Sequence, residues 1–235
     1  SKYSDNPVQW DATGRMIDPV PITSINKEPM PATAPNGEPL QSEMTRIADV
    51  VAKTAGADGA RNTVAAIQEG VNMLSADKGK SATPIPNLKI DGALGPRTRQ
   101  MVKMAAARWG APKVEEGLAL GRFAKVARNL QAGRLSGGVG PHVRKTFGPL
   151  FRSANKPTPK TNVEEDGALQ ATINDLRGDA LGQNEYKPVR EDGSIGPKTE
   201  TAFRNVMPAV GAERFTSAFG RNLGFLDGDE DGAFV

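Results

Sequence analysis

The sequence predicts an all-α protein: two small helical bundle modules related by an internal repeat, preceded by an extended proline-rich N-terminal arm. Three observations favour this class. A motif of eight residues occurs twice, apolar residues recur at the spacing of one helix face, and alanine is abundant while aromatic residues make up only 5% of the chain. A motif that recurs together with its flanking pattern is typical of duplicated structural units.

The repeated motif reads as a tight turn that starts a helix. It spans Asp91 to Thr98 (DGALGPRT) and, 101 residues later, Asp192 to Thr199 (DGSIGPKT). Asp-Gly favours a turn because the carboxylate can accept a bond from nearby backbone and Gly tolerates positive φ. Proline suits the first helical position, where its missing N–H costs nothing. We expect Leu94 and Ile195 to pin the two turns to a core.

A helix with the same side-chain order precedes each copy. Gln68 and Asn72 stand before the first motif, and Gln170 and Asn174 stand before the second. Residues four apart share a helix face. Two interpretations stay open: these amides brace the loop that leads to the motif, or the asparagines hydrogen-bond to a ligand.

The linked patterns resemble the small helical peptidoglycan-binding domains attached to bacterial and phage cell-wall hydrolases. The resemblance covers roughly residues 60–130 and 163–226. It implies helical modules that bind peptidoglycan, although such modules also serve as scaffolds. Those hydrolases carry their catalytic Glu in a separate N-terminal domain, which the arm of this chain does not resemble.

The arm is expected over residues 1–41, where seven prolines occur without helical or alternating periodicity. Proline fixes φ and removes donors, so such a segment stays extended and is ordered mainly by lying along a domain or a neighbouring subunit. The first module is expected over 42–135, with Ser42 as the first N-cap. Its first helix is predicted to end near Thr54. Three further helices are predicted over about 62–75, 96–109 and 112–131.

A basic connector rich in Gly and Pro is expected over residues 136–162. Ser136 to Val143 is either a degenerate third copy of the motif or a plain Gly-rich loop before a short helix. Between positions 117 and 163 there is no Asp or Glu, and nine residues are basic. This surplus suits a polyanion or an acidic neighbour. Without interleaved aromatic residues, nucleic acid is not expected. The basic residues are Arg122, Lys125, Arg128, Arg134, Arg144, Lys145, Arg152, Lys156 and Lys160.

The second module is expected over 163–226, followed by an acidic tail over 227–235. Its first helix is predicted from about Val163 to Gly178, and its second helix is predicted to begin at Pro197. The last helix is predicted to end near Leu223. Gly211 occupies the position of Gly110 in the first module, so the same helix break is expected. The tail imitates the first half of a calcium loop but lacks the bidentate Glu at position 12, so we interpret it as solvated.

Residues suited to catalysis are few. The chain has no cysteine, and His142 is its only histidine, so thiolate or histidine metal sites and histidine triads lack partners. We expect His142 to be a surface residue. Glu115 and Glu116 are adjacent, so on a helix they diverge and cannot act together on one sugar. We expect no enzyme, no catalytic residue, no cofactor and no bound metal.

The expected function is non-catalytic binding of peptidoglycan by a component of a phage virion or tail. Each turn, with Arg97 or Lys198 on the first helical turn, would form a groove wall in which helix-start amides and a basic side chain suit carboxylates. A purely structural role for Asp91 and Asp192 is the alternative at the residue level. A structural virion protein that uses the modules as spacers is the alternative at the level of function. The candidate ligand-binding residues are Asn72, Asp91, Arg97, Asn174, Asp192 and Lys198.

The expected location is the virion or the outer face of the cell wall. No run of about 18 apolar residues occurs, so membrane insertion is not expected. The first residues lack the apolar core of a secretory signal, and a leading Ser is what removal of an initiator Met leaves. Expected partners are peptidoglycan and other protein subunits, the latter through the arm and the basic segment.

Overall fold

The computed structural model describes residues 9–10, 16–17, 30–78, 85–152, 163–181 and 187–227. The predicted all-α class is confirmed: these residues form eight α-helices and one pair of two-residue antiparallel strands. The strands are β1 (Gln9–Trp10) and β2 (Met16–Ile17). The helices are α1 (Leu40–Asp58), α2 (Ala60–Lys78), α3 (Pro96–Trp109), α4 (Ala111–Gln131), α5 (Val139–Arg152), α6 (Val163–Leu181), α7 (Pro197–Val210) and α8 (Ala212–Asn222).

Three predicted segments lie partly outside the described residues. Apart from β1 and β2, the structure describes the arm only from residue 30. Residues 153–162 of the connector and 228–235 of the tail are also outside. None of the described helices combines the length and the apolar character that a bilayer span requires.

The helix starts and breaks predicted from the motif are confirmed. Pro96 and Pro197 each occupy the first helical position, after an extended glycine. Gly110 and Gly211 end α3 and α7, and each N–H donates to the carbonyl four residues earlier.

The first predicted helix boundaries were too narrow. Leu40 N–H donates to the Ala32 carbonyl at 2.9 Å, and this turn delivers the chain into α1 with Pro39, not Ser42, at the N-cap. The helix also continues past Thr54 to Asp58 because Gly56 is accommodated within it and only Gly59 breaks it. A glycine inside a helix costs about 1 kcal/mol, which packing offsets.

The core has two parts, and α4 contributes to both. Val114 and Leu118 of α4 pack with residues of α1, α2 and α3. Leu120 and Phe123, only a few positions later, pack with residues of α5 to α8. Trp109 lies partly buried against both parts, as a core-facing residue. The module boundary at residue 135 stays a prediction. Although α4 ends before that boundary, its later residues pack with helices that lie after it.

The contact between α2 and α4 is a backbone contact. A Cβ added to Gly70 would lie 2.0 Å from the Gly117 carbonyl oxygen, and one added to Gly121 would lie 1.9 Å from that of Ala66. Real Cβ atoms cannot approach that closely, so glycine is required at this crossing. The close approach sets the position of α2, which carries Gln68 toward the first motif.

The second part of the core is aromatic. Phe123, Phe147, Phe203, Phe215 and Phe219 are almost completely buried. Phe203 and Phe215 meet edge to face with ring centroids 5.2 Å apart, and Phe123 and Phe219 do so at 4.9 Å. Such arrangements suit the ring quadrupoles. Phe123 from α4 is thus enclosed by the helices of the second half.

Candidate functional site

The first motif is held by one buried glutamine. Gln68 has 2% of its surface exposed. Its Oε1 accepts from the N–H groups of Asp91 (3.1 Å) and Gly92 (3.0 Å). Its Nε2 lies 3.1 Å from both Asp91 Oδ1 and the Ala93 carbonyl oxygen, and 3.0 Å from Thr98 Oγ1. A single amide therefore ties the turn to the helix before it.

The Asp-Gly turn has the predicted geometry. Asp91 Oδ1 accepts from the Ala93 N–H at 2.9 Å. Gly92 has a φ of 71°, and a Cβ there would lie 2.5 Å from the Arg61 carbonyl oxygen. The backbone bond from Ala93 is the main cause that lowers the pKa of Asp91, and the Gln68 amide acts in the same direction. The carboxylate is thus held in its charged form by the turn.

The second motif makes most of the same bonds. Gln170 accepts from the Gly193 N–H at 2.9 Å and donates to Asp192 Oδ1 at 3.2 Å and to the Ser194 carbonyl at 3.0 Å. Asp192 Oδ1 also accepts from the Ser194 N–H at 3.0 Å. These bonds, the one from Gln170 foremost, lower the pKa of Asp192. The two copies share local structure as well as sequence.

The two asparagines brace the incoming loops. Asn72 donates to the Leu88 carbonyl at 2.8 Å and accepts from the Leu88 N–H at 2.7 Å. Asn174 makes the same pair with Val189, at 2.9 and 3.0 Å, and also donates to Glu191 Oε1 at 2.8 Å. The bracing interpretation is therefore observed, and a ligand contact by these amides stays a prediction.

The two copies differ at the apolar position of the turn. Ile195 packs against the second part of the core, and a Cβ on Gly140 of α5 would be only 3.2 Å from its Cγ2. The same prediction for Leu94 was wrong, because 48% of its surface is exposed. The start of α5 covers the second turn, whereas Leu94 faces solvent.

Glutamates distant in sequence hold two helix starts. Glu200 accepts from the N–H groups of Val139 (2.9 Å) and Gly140 (3.2 Å) at the start of α5. Buried Glu43 accepts from the Ala111 N–H at the start of α4. Both carboxylates meet unpaired donors and the positive end of a helix dipole. Local sequence gave no signal for either bond, since the partners lie 60 or more positions apart.

Ser136 to Val143 does not repeat the geometry of the motif. Here α5 begins at Val139, so Pro141 is the third helical residue and not the first. The helix-start donors bond to Glu200, as described above. Descent from the motif stays a prediction.

A groove of about 910 Å³ lies at the second motif. Asp192 and Lys198 line it together, as the sequence predicted for one groove wall. Lys187 and Arg190 line it as well, and sequence reasoning missed both although they flank the motif as basic residues. Arg190 Nε lies 3.8 Å from Asp192 Oδ2. Three basic groups face one carboxylate, so the groove favours anionic groups.

The other candidate residues lie elsewhere. Asn72 lines a separate cleft of about 440 Å³ between α2 and α8, together with Glu69, Asp77 and Glu213. Arg97 is half-buried, and within the described residues its Nε is buried without a hydrogen-bond partner. Asn174 reaches the groove wall only through its bonds to Val189. The six candidates therefore do not form one site.

Part of the basic segment is paired with the chain's own carboxylates. Arg122 bonds Asp58 at 2.7 Å, Arg128 bonds buried Glu69 at 2.5 Å and Arg144 bonds buried Asp166 at 2.7 Å. The acidic neighbour considered from sequence is thus supplied in part by this chain. Lys156 and Lys160 lie outside the described residues, as does the side chain of Arg152.

The adjacent glutamates diverge as predicted. Glu115 pairs with Arg46 at 2.5 Å, whereas Glu116 pairs with Lys113 at 2.8 Å. Within the described part of the chain, no group of three or more His, Asp or Glu side chains is arranged to hold a metal ion.

Comparison with known proteins does not assign the chain to a family. No protein-family model matches it, and neither a curated protein nor a solved structure shows significant similarity.

Proposed function

We propose that the chain is a non-catalytic peptidoglycan-binding protein and that the groove at the second motif faces the wall polymer. One observation carries this proposal: Asp192 and Lys198 line a groove of about 910 Å³ together with two further basic side chains. That size lies within the range of about 300–1,000 Å³ typical of ligand pockets.

The chemistry of the groove suits peptide stems and amino sugars. Stem carboxylates would bind Lys198 and Arg190 near the start of α7, where the helix dipole also favours negative charge. Ser194 and Thr201 line the same groove, where the Ser194 hydroxyl can donate to or accept from sugar hydroxyls or acetamido groups and the Thr201 hydroxyl, which donates to the Pro197 carbonyl at 2.9 Å, can accept. The motif's Asp and Gln hold this wall in place and contribute little direct contact.

The setting that we propose is a phage virion or tail component that meets the wall from outside. It follows from the sequence resemblance to modules of phage and bacterial wall hydrolases. If the first motif also binds, with Arg97 in the place of Lys198, two weak sites on one chain would raise the affinity through effective concentration.

Retention on purified sacculi tests the proposal. We expect wild-type protein to be retained and Lys198→Gln and Arg190→Gln to reduce the affinity roughly tenfold each, since a hydrogen bond to a charged group contributes about 1.5–3 kcal/mol. Lys103→Gln, an exposed lysine on α3, is the matched control. No retention of the wild type, or equal retention of all variants, contradicts the proposal.

A structural protein whose modules act as spacers is the second candidate. The occupied amides favour it, because Asn72, Asn174, Gln68 and Gln170 all bond to their own chain. Deleting residues 1–29, which leaves α1 and the turn before it in place, separates the two functions. Lost assembly with intact sacculus binding favours an arm that tethers a wall-binding protein, and lost assembly without binding in either form favours the spacer.

A further inference from the structure

A further, smaller pocket lies where the end of α1 and the start of α2 meet α4 and α5. Its volume is about 240 Å³. Basic side chains dominate its lining: Arg122 and Lys125 from α4, and Lys145 from α5. His142, the only histidine of the chain, lines it too. None of these residues belongs to the groove at the second motif.

The charges of this pocket do not balance. Asp58 is the only carboxylate in its lining, and it is already bonded to Arg122 at 2.7 Å. Lys145 Nζ lies 3.9 Å from the other oxygen of the same carboxylate. Within the described residues, Lys125 has no ion pair. Three permanent cations thus share one anion, whereas Arg128 and Arg144 of the same segment each have a buried carboxylate partner.

Two of the donors are held in place. The Arg122 side chain is only 17% exposed and is fixed by Asp58. Asn62 is fixed by its bond to the Asp58 carbonyl at 2.7 Å, and Asn129 and Thr146 complete the polar wall. Guanidinium, ammonium and amide groups around one concave space suit the several oxygens of a phosphoryl group.

We propose that this pocket binds a phosphoryl group carried by a small molecule or by a phosphate-bearing polymer. An anion in the pocket would reduce the mutual repulsion of the two lysines and the arginine. The backbone of single-stranded nucleic acid is a poorer fit, because no Phe, Tyr or Trp lines the pocket to stack on a base.

Calorimetric titration with inorganic pyrophosphate at low ionic strength tests the proposal. We expect the wild type to bind, Lys125→Gln and Lys145→Gln to bind roughly tenfold more weakly each, and Lys103→Gln to bind as the wild type does. Asp58→Asn should bind more tightly, because it removes the competing carboxylate and leaves Arg122 available. Thermal unfolding of each variant identifies any that fails to fold.

Two results would overturn the proposal. The first is that the wild type does not bind pyrophosphate, or that both lysine variants unfold at the wild-type temperature and bind pyrophosphate as tightly as the wild type does. The second is a short DNA single strand that binds more tightly than pyrophosphate and loses its affinity in Lys125→Gln, which would assign the pocket to nucleic acid. Tighter binding by Asp58→Asn supports the proposal independently of any loss-of-function variant.

Discussion

At the scale of single residues, the side chains that define the repeat act mainly as internal connectors. Gln68 and Gln170 each join a helix to an Asp-Gly turn. Asn72 and Asn174 each join the same helix to the loop that leads from it into that turn. Buried amides of this kind are costly to leave without partners. Most of the likeness between the two motifs is therefore explained by the structure of the turn. A ligand contact by Arg97 or Lys198, which differ between the two copies, stays a prediction.

Replacing the first of these glutamines tests the connector role. Gln68→Ala should lower the free energy of unfolding by about 2 kcal/mol, because the Gly92 N–H loses its acceptor and the Asp91 N–H and the Ala93 carbonyl each lose one of two partners. Urea denaturation measures the change. Gln41→Ala on the exposed face of α1 is the control and should change stability by less than about 0.5 kcal/mol. Equal effects of the two substitutions would contradict the connector role.

The motif carboxylates give stability a defined dependence on pH. Because folding lowers the pKa of Asp91 and Asp192, their contribution is present above the unfolded pKa, near 3.8, and is lost as the pH falls through the folded value. Below about pH 4 the wild type should therefore lose stability more steeply than Asp91→Asn or Asp192→Asn, which have no charge to lose. Denaturation between about pH 2 and 6 measures this slope. Asp49→Asn, remote from the motif on α1, should retain the wild-type slope.

At the scale of elements, some helix ends depend on residues close in sequence and others on residues far away. The Gly-Pro starts and glycine ends were predictable because the signals lie within a few residues. The caps provided by Glu43 and Glu200 were not predictable, since each joins helices far apart in sequence. Leu94 shows the same limit: its sequence position equals that of Ile195, but only Ile195 is covered by α5.

The α2–α4 crossing provides a matched pair of glycine substitutions. Gly121→Ala should destabilise the protein by about 3 kcal/mol or more, because the new Cβ would overlap the Ala66 carbonyl and separate the helices. Gly56→Ala within α1 meets no atom within 4 Å and should raise stability by up to about 1 kcal/mol. Thermal unfolding of both variants compares them. A tolerated Gly121→Ala would contradict the close backbone contact.

At the scale of the whole molecule, α4 joins the two halves. Its early residues belong to one part of the core and its later residues to the other, within 21 positions. The repeat in the sequence predicts two similar modules, which stays a prediction; in the described residues one helix precedes each motif and two follow it. The repeat does not indicate that one helix packs in both parts of the core. An apolar stripe shows that a helix face is buried but not which helices bury it.

Shared packing predicts that both halves unfold together. Phe123→Ala should lower the free energy of unfolding by about 3–5 kcal/mol and shift a single transition. Far-UV circular dichroism reports all helices, and the fluorescence of Trp109, in a Trp10→Phe background, reports the junction. The two signals should coincide for wild type and variant. Two separated transitions in the wild type would contradict joint unfolding.

The long central helix also has a geometric consequence. With a rise of 1.5 Å per residue, the 21 residues of α4 span about 31 Å of straight rod. If each half carries a site, this helix holds the two sites at a fixed separation and orientation. A flexible linker samples many separations, whereas a rigid connection favours ligands whose repeat distance matches the fixed one. The protein would then respond to the order of a surface and not only to its composition.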